Sequence, residues 1–128
     1  MKIGFIGLGN VGGKLAGSLM RNGKNVSVHD LNKNFVKSFV ERGAKDGSNA
    51  HNLMQNCDVV ITCLPTPEAS SAIVKEMLPS VGPGKIWMEM STTDAEEVKK
   101  LAGLVVAAGG EAVDCPVSVS YTHLRAHE

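Results

Sequence analysis

A glycine motif close to the amino terminus constrains the fold more than any other feature of the chain. The apolar residues 3–6 lead into a run with the spacing G-x-G-x-x-G, and a segment with helical periodicity follows directly. In a strand–turn–helix unit, Gly7 permits a tight turn, Gly9 leaves space for a pyrophosphate beside the backbone, and Gly12 lets the helix pack on its strand. The free N–H groups of the first helical turn then face the phosphates. The residues predicted to bind a dinucleotide here are Gly7, Leu8, Gly9, Asn10, Val11 and Gly12.

Strand-like and helix-like segments alternate along the rest of the chain. Residues 58–64 form a nearly continuous apolar run, which is typical of a parallel strand covered by helices on both faces. The six predicted strands cover residues 2–6, 25–30, 44–46, 58–64, 85–90 and 111–115. The five predicted helices begin near Asn10, Asn32, Ser48, Thr66 and Thr93. A capping box, residues 93–96, marks the start of the last of them.

This alternation predicts an α/β fold of the Rossmann type, a doubly wound parallel sheet with strand order 3-2-1-4-5-6 and helices on both faces. In such a fold the ligand lies outside the carboxyl ends of the strands, where the strand order reverses between strands one and four. The loops after strands one, two, four and five should therefore line the site. A chain of 128 residues is expected to form a single domain.

Helical spacing also predicts which side chains face the core. The second helix is expected to bury Phe35, Val36, Phe39 and Val40. The fourth helix is expected to bury Ala69, Ala72, Ile73 and Met77. The fifth is expected to bury Val98, Leu101, Ala102 and Val105. Trp87 is interpreted as a core residue. The three cysteines, which lack any metal-type spacing, are interpreted as small buried apolar side chains: Cys57, Cys63 and Cys115.

Asp30 ends the second predicted strand, 18 positions beyond Gly12. A carboxylate at this point accepts hydrogen bonds from the adenosine ribose hydroxyls and repels a 2′-phosphate. The next residue is Leu31 rather than an arginine that could pair with that phosphate. NAD is therefore favoured over NADP, although His29 and Lys33 leave NADP open as an alternative. Asp30 could also act only as a cap for the second helix, and the two roles could coexist.

The ends of strands four and five supply further candidates. Leu64 and Pro65 are predicted to line the cofactor groove, and Thr92 is predicted to face the nicotinamide ribose. The end of a strand and the start of a helix would explain Pro65 equally well. Glu89 is interpreted as a supporting acid or an edge residue rather than a catalyst. The four histidines lack metal spacing, and local spacing assembles no Ser/His/Asp or Cys/His arrangement. The sequence thus predicts a cofactor site without a metal and without an acid or base for hydride transfer.

Composition excludes several other classes of protein. The 13 basic and 13 acidic residues cancel, which argues against a nucleic-acid or anionic-membrane partner. No run of about 18 apolar residues is present, and the amino terminus lacks the layout of a signal peptide. An odd number of cysteines without a disulfide framework is typical of reduced thiols. These features together predict a cytoplasmic protein.

Four sequence blocks in combination resemble a known family, the β-hydroxyacid dehydrogenases. This family includes 3-hydroxyisobutyrate dehydrogenase, tartronate semialdehyde reductase and the cofactor domain of 6-phosphogluconate dehydrogenase. The blocks are GFIGLGNVGGKLAGSLMRNG, the turn at Asp30, CDVVITCLPTP, and MEMSTTD followed by VDCPVS. The resemblance covers residues 1–118, which are expected to form an NAD(P)-binding domain.

The resemblance implies a role for each matching residue. The glycine motif would hold the pyrophosphate and Asp30 the adenosine ribose. Leu64 and Pro65 would line the groove, and Thr92 would contact the nicotinamide side. The block VDCPVS resembles the family's D-A-P-V-S-G-G, whose serine and glycines hold the substrate carboxylate. Ser118 matches that serine.

Two departures from the family pattern limit what the resemblance implies. After Ser118 the family continues Gly-Gly, whereas this chain continues VSYTHLRAHE over residues 119–128. This tail resembles a foreign read-through, with a genuine strand extension as the alternative. In the family, the catalytic lysine and its asparagine partner lie beyond this point, followed by a helical domain that completes the substrate pocket and the dimer. No residue here takes over their roles.

These observations predict the cofactor domain of an oxidoreductase. The whole protein is expected to transfer a hydride between NAD(H) and a small 3-hydroxy acid or its semialdehyde, and to form a homo-oligomer through the helical domain. The chain itself is expected to bind cofactor without turnover. The alternatives are a non-catalytic dinucleotide-binding module and an NADP-dependent imine or short-aldehyde reductase of the same family.

Overall fold

The computed structural model describes residues 1–90 and 94–115, and it forms an alternating series of strands and helices. The strands are β1 (Lys2–Ile6), β2 (Asn25–His29), β3 (Lys45–Asp46), β4 (Val59–Thr62), β5 (Ile86–Glu89) and β6 (Glu111–Asp114). The helices are α1 (Asn10–Arg21), α2 (Lys33–Glu41), α3 (Ala50–Asn56), α4 (Pro67–Met77) and α5 (Ala95–Ala107), and a 3₁₀ turn covers Leu78–Ser80. The predicted elements are all present, and their ends differ from the predicted ones by a few residues at most.

The six strands form one sheet in the order β3-β2-β1-β4-β5-β6, and every neighbouring pair is parallel. In the register of the sheet, Ile3 of β1 lies between Val26 of β2 and Val59 of β4. The strand order therefore reverses between β1 and β4, as predicted. The carboxyl ends of β1, β2 and β4 meet at this point.

Two apolar clusters cover the two faces of the sheet. Since successive side chains of a strand point to opposite faces, β1 contributes Phe5 to one cluster and Ile6 to the other. β4 divides in the same way, with Ile61 on the first face and Val60 on the second. The first cluster includes residues of α1 and α2, and the second includes residues of α3, α4 and α5. Two-sided covering explains why the sequence of β4 is almost continuously apolar.

Capping side chains begin four of the helices. The predicted caps are confirmed at Asn32, whose side chain accepts from the Asn34 N–H, and at Thr66, whose hydroxyl accepts from the Ala69 N–H at 3.1 Å. Pro67 at the first helical position is also confirmed. Gly23 and Gly43, which follow α1 and α2, have positive φ angles of 75° and 109°. Glycine tolerates this conformation, which ends a helix.

The helices α3 and α5 are each capped one residue after the position at which the sequence predicts the helix to begin. α3 is capped by Asn49 rather than by Ser48, because the Asp46 carboxylate accepts the Ser48 N–H and Ser48 adopts a φ of 70°. α5 is capped by Asp94, whose carboxylate accepts the Glu96 N–H at 2.9 Å. The capping box predicts Thr93 as the cap of this helix, and Thr93 lies outside the described residues. Aspartate is as good a cap as threonine, so the sequence pattern did not distinguish the two positions.

The predicted core faces of α2 and α4 need correction. In α2, Val36 and Phe39 are buried, but Phe35 and Val40 are 40% and 41% exposed. The helix covers the edge of the sheet at the two-residue strand β3, so only a narrow stripe of side chains reaches the core. In α4 the buried residues are Ser70, Val74 and Met77. Of the predicted α4 stripe, Met77 is buried and Ile73 is partly buried against the second cluster, whereas Ala69 and Ala72 line a cleft described below, to which Ile73 also contributes.

The interpretation of the cysteines holds for one of the three. Cys57 is buried in the second cluster and Cys63 is partly exposed, but Cys115 is exposed. Cys115 follows β6, the edge strand, where Glu111, Val113 and Asp114 are also exposed. An edge strand lacks a neighbour that could cover such a side chain. The prediction that Cys115 is buried is therefore wrong.

Trp87 is buried, as predicted, and its polar atom is paired. The Trp87 Nε1–H donates to the Thr62 hydroxyl on the adjacent strand at 2.9 Å, and both side chains are at most 1% exposed. The pair joins β5 to β4 inside the second cluster. An indole that is buried in this way needs such an acceptor.

This bond predicts the stability of variants. Thr62→Val keeps the shape but leaves the buried indole N–H without its acceptor, so the free energy of unfolding should fall by about 1–3 kcal/mol. Urea denaturation followed by circular dichroism measures the change. Tryptophan fluorescence would not serve in the Trp87→Phe background used below, since Trp87 is the only tryptophan of the chain. In a Trp87→Phe background, Thr62→Val should have a much smaller effect. Equal effects in both backgrounds would contradict the proposed coupling.

Candidate cofactor-binding site

A cleft of about 640 Å³ lies at the carboxyl ends of β1, β2 and β4. Its position agrees with the site predicted from the strand order. Eight of the residues predicted to bind the cofactor line it: Gly7, Gly9, Asn10, Val11, Gly12, Asp30, Leu64 and Pro65. The side chain of Leu8 does not line the cleft, because it is buried in the first apolar cluster. Thr92 and Ser118, the remaining predicted site residues, lie outside the described residues.

The three motif glycines have the three different roles that the sequence predicted. Gly7 turns the chain with a φ of 100°, and a Cβ there would collide with the Cys63 carbonyl. A Cβ on Gly12 would collide with the Gly7 carbonyl, so α1 can pack this closely on the end of β1 only through glycine. A Cβ on Gly9 would meet no protein atom within 4 Å. Packing therefore explains Gly7 and Gly12, whereas Gly9 leaves the backbone accessible from the cleft.

The first turn of α1 faces the cleft and suits an anion. Its cap residue, Gly9, has no side chain to accept the N–H groups of the turn, and the turn contains no acidic residue. Asn10, Val11 and Gly12 all line the cleft. The N–H groups of a first helical turn have no partner within the helix, and the helix dipole places partial positive charge there. This arrangement fits a pyrophosphate.

Asp30 joins the glycine loop to the end of β2. One carboxylate oxygen, Oδ2, accepts the Leu8 N–H at 2.7 Å, and the other, Oδ1, accepts the Asn32 N–H at 2.8 Å. Because Asn32 is the residue that caps α2, the interpretation of Asp30 as a mere helix cap is wrong. Each carboxylate oxygen has a second lone pair, so ribose hydroxyls can bind without displacing the backbone. Asp30 lines the cleft and is partly exposed, which leaves these lone pairs accessible.

The remaining walls of the cleft are largely apolar. The sequence predicts most of these residues to lie in the core. Leu31, which is 90% exposed, and Phe35 contribute to one side. α4 contributes a face whose residues are spaced i, i+3, i+4 and i+7. These residues are Ala69, Ala72, Ile73 and Glu76. Their spacing was visible in the sequence, but the same periodicity is expected of a core stripe.

The groups at the end of β4 do not supply an acid or base at neutral pH. Burial raises the pKa of the Cys63 thiol above its ordinary value of 9.0, and the nearby Glu89 carboxylate raises this pKa further. The Cys63 thiol, which lines the cleft, is therefore protonated near pH 7. Glu89 is fully buried on β5, an interior strand between β4 and β6. The alternative of an edge residue is therefore wrong for Glu89.

The structure brings together one polar pair that local spacing did not predict. The Ser80 hydroxyl and Nδ1 of His51 are 2.7 Å apart and join α3 to the 3₁₀ turn. Neither residue lines the cleft. The separation of 29 residues in sequence explains why a motif search does not find the pair. Among residues 1–90 and 94–115, no group of three or more His, Cys, Asp or Glu could hold a metal ion.

The helices add one negative finding about membranes. Over the same two ranges, none of them combines the length and apolar character that a membrane span requires.

Comparison with known protein families agrees with this geometry. Residues 2–126 match the NAD binding domain of 6-phosphogluconate dehydrogenase. The chain belongs to this family. The match covers the glycine motif, Asp30 and the strands that build the cleft.

Two curated relatives show how widely the domain is used. Human cytokine-like nuclear factor N-PAC is 33% identical over 120 residues, which are 91% of this chain and 22% of that protein. The probable mitochondrial 3-hydroxyisobutyrate dehydrogenase of Dictyostelium discoideum is 33% identical over 123 residues, which are 91% of this chain and 37% of that protein. The chain thus spans about a fifth of the first relative and less than two fifths of the second.

A solved structure confirms the fold. The 3-hydroxyisobutyrate dehydrogenase of Mycobacterium tuberculosis, whose structure is described with L-serine, superimposes with a TM-score of 0.85 at 26% sequence identity. The match covers 90% of this chain and 40% of that chain. The chain therefore spans about two fifths of the length of that dehydrogenase.

The different roles of the glycines predict losses of stability of different size for two alanine variants. Gly12→Ala should lower the free energy of unfolding by about 1–3 kcal/mol, because its Cβ meets the Gly7 carbonyl. Gly9→Ala should lower it by less than about 1 kcal/mol, since its Cβ meets no protein atom and only the cap is weakened. Thermal and urea denaturation measure both. A larger loss for Gly9→Ala than for Gly12→Ala would contradict this assignment.

The position of Cys63 predicts how fast it reacts with iodoacetamide in a Cys115→Ser background. Because the pKa of Cys63 is raised, its thiolate fraction and its alkylation rate should be small at pH 7 and should still be rising steeply through pH 9. Peptide mass spectrometry at a series of pH values measures the rate. Buried Cys57, whose pKa is also raised by burial, should react more slowly at each pH and is the internal control. A rate that levels off below pH 8 would contradict the raised pKa.

Proposed function

We propose that this domain binds NAD(H) in the cleft and serves as the cofactor domain of an oxidoreductase. The observation that carries the proposal is the Asp30 carboxylate, which is hydrogen-bonded to the glycine loop at the edge of a cleft where Gly9 leaves the backbone accessible. In a dinucleotide-binding fold these are the positions of the adenosine ribose and of the pyrophosphate. Membership of the NAD-binding family supports the same reading.

The bound dinucleotide would extend along the cleft. Its pyrophosphate would lie on the first turn of α1, and its adenosine ribose hydroxyls would donate to the Asp30 carboxylate. The nicotinamide would then extend past Leu64 and Pro65, at the end of β4, towards Thr92. When bound, the nicotinamide supplies the hydride chemistry. The residues of this domain bind and orient the dinucleotide, and their apolar side chains keep water from the groove.

The charges around the cleft favour NAD over NADP. A 2′-phosphate would lie against the Asp30 carboxylate, which would repel it. Within the described ranges, the residues that line the cleft include neither lysine nor arginine, and His29 is the one lining residue that could carry positive charge. Lys33, which the sequence suggested as a phosphate partner, does not line it. NADP therefore lacks the cationic partner that its additional phosphate needs.

For the whole protein we propose a substrate of the 3-hydroxy acid or semialdehyde class. The names of the two dehydrogenase relatives and the resemblance of VDCPVS to the family's carboxylate-binding block support this class. Ser118 would then contact the substrate carboxylate. A lysine outside this chain would manage the hydroxyl proton. The chain alone would bind cofactor without turnover.

One observation favours a second candidate, a dinucleotide-binding module without chemistry. N-PAC, which is as similar to this chain as the Dictyostelium dehydrogenase is, carries the name of a nuclear factor rather than that of an enzyme. Turnover of 3-hydroxyisobutyrate by the longer protein would exclude this candidate.

Calorimetric titration of the chain with NAD and with NADP tests the cofactor assignment. NAD should bind more tightly. Asp30→Asn should weaken NAD about tenfold, since it removes a charged acceptor of the ribose hydroxyls, and should weaken NADP less because the repulsion is also removed. The matched control is Asp46→Asn, because Asp46 also ends a strand and accepts a backbone N–H but does not line the cleft. Asp46→Asn should leave both affinities unchanged.

Three outcomes would revise the proposal in different ways. Equal losses of NAD and NADP in Asp30→Asn would remove Asp30 from the ribose site. Tighter binding of NADP by the unmodified chain would reverse the cofactor assignment. Binding of neither nucleotide by a chain that melts cooperatively would contradict the proposed function.

A further inference from the structure

One carboxylate in the cleft is not explained by the binding of ribose or pyrophosphate. Glu76 lies near the end of α4 and lines the same cleft as Asp30 and Leu31. It is the last member of the α4 face that also contains Ala69, Ala72 and Ile73, so a charged group ends an otherwise apolar wall. The other acid of α4, Glu68, does not line the cleft.

The Glu76 carboxylate is held in position by the backbone of a neighbouring helix. Its Oε2 accepts the Ala50 N–H, at the first residue of α3, at 2.6 Å. This bond fixes one oxygen and leaves the lone pairs of the other available as acceptors. A carboxylate held in this way at the rim of a groove can accept a hydrogen bond from a donor group on a ligand that enters the groove.

The part of the dinucleotide that reaches this wall follows from the site already described. With the adenosine ribose at Asp30 and the pyrophosphate on α1, the base extends away from the glycine loop. It would lie between exposed Leu31 and the α4 face, whose alanine and isoleucine side chains offer a flat apolar surface. Adenine has apolar faces and an exocyclic amino group that can only donate. An apolar slot that ends in a carboxylate therefore complements adenine.

We propose that Glu76 is a specificity-determining residue that accepts a hydrogen bond from the exocyclic amino group of adenine. The inference rests on the proposed function and goes beyond it, since it assigns recognition of the base. Hypoxanthine has a carbonyl oxygen where adenine has the amino group, and this oxygen would be repelled by the carboxylate. The cleft should thus select adenine dinucleotides against hypoxanthine dinucleotides.

Titration with NAD and with nicotinamide hypoxanthine dinucleotide tests this inference. The unmodified chain should bind NAD about tenfold more tightly than the hypoxanthine analogue. Glu76→Gln should lower this ratio to about one or below, because its amide oxygen stays on the Ala50 N–H and the NH2 group that then faces the base can donate to hypoxanthine but cannot accept from adenine. The amide oxygen can still accept the Ala50 N–H, so the variant should fold. Glu68→Gln, on the same helix, is the matched control and should leave the ratio unchanged.

The possible outcomes separate failure of the inference from failure of the proposed function. If NAD binds but the ratio is near one, or is the same in Glu76→Gln, then Glu76 only fixes the start of α3 and the inference is wrong while the proposed function stands. A lower melting temperature of Glu76→Gln with an unchanged ratio would lead to the same conclusion. If the folded chain binds neither dinucleotide, both proposals fail.

Discussion

The close packing of α1 on the end of β1 is the constraint on which the site depends. Gly12 can lie against the Gly7 carbonyl because it lacks a Cβ, and Gly7 can turn towards β4 for the same reason. A side chain at position 12 would push the helix away from β1, and one at position 7 would collide with the backbone that follows β4. The N–H groups of the first helical turn would then no longer point into the cleft. Two glycines thus determine the position of the anion site, and the third leaves it accessible.

Much of this architecture could be predicted because its physical causes are local. Alternating apolar patterns, caps and helix-ending glycines indicate strands and helices, and regular alternation of the two leads to one strand order. One prediction that failed needed information about a neighbour. Whether Ser48 or Asn49 caps α3 depends on the Asp46 carboxylate. The prediction that Cys115 is buried rests on residue type alone, whereas the predicted strand order already places its strand at the edge of the sheet.

The walls of the cleft show a second limit of sequence reasoning. α4 has two faces that are both largely apolar, one packed in the core and one turned towards the cleft. The sequence of a hydrophobic stripe does not indicate whether the rest of the protein or a bound ligand covers that face of the helix. The cleft-facing stripe was therefore assigned to the core, although its spacing was correctly recognised as helical. Glu76, which is itself an exposed acid, was missed because its contact with the Ala50 N–H spans 26 residues and leaves no local pattern in the sequence.

The bond between Asp30 and the Leu8 N–H has a consequence for the kinetics of binding. It holds the glycine loop in the folded chain, so part of the conformational entropy of the loop would already be lost when a dinucleotide arrives. A binding surface that is already ordered loses little more entropy on association. Encounter then depends mainly on diffusion and orientation rather than on loop rearrangement. Differences in affinity among dinucleotides should therefore come mostly from differences in their dissociation rates.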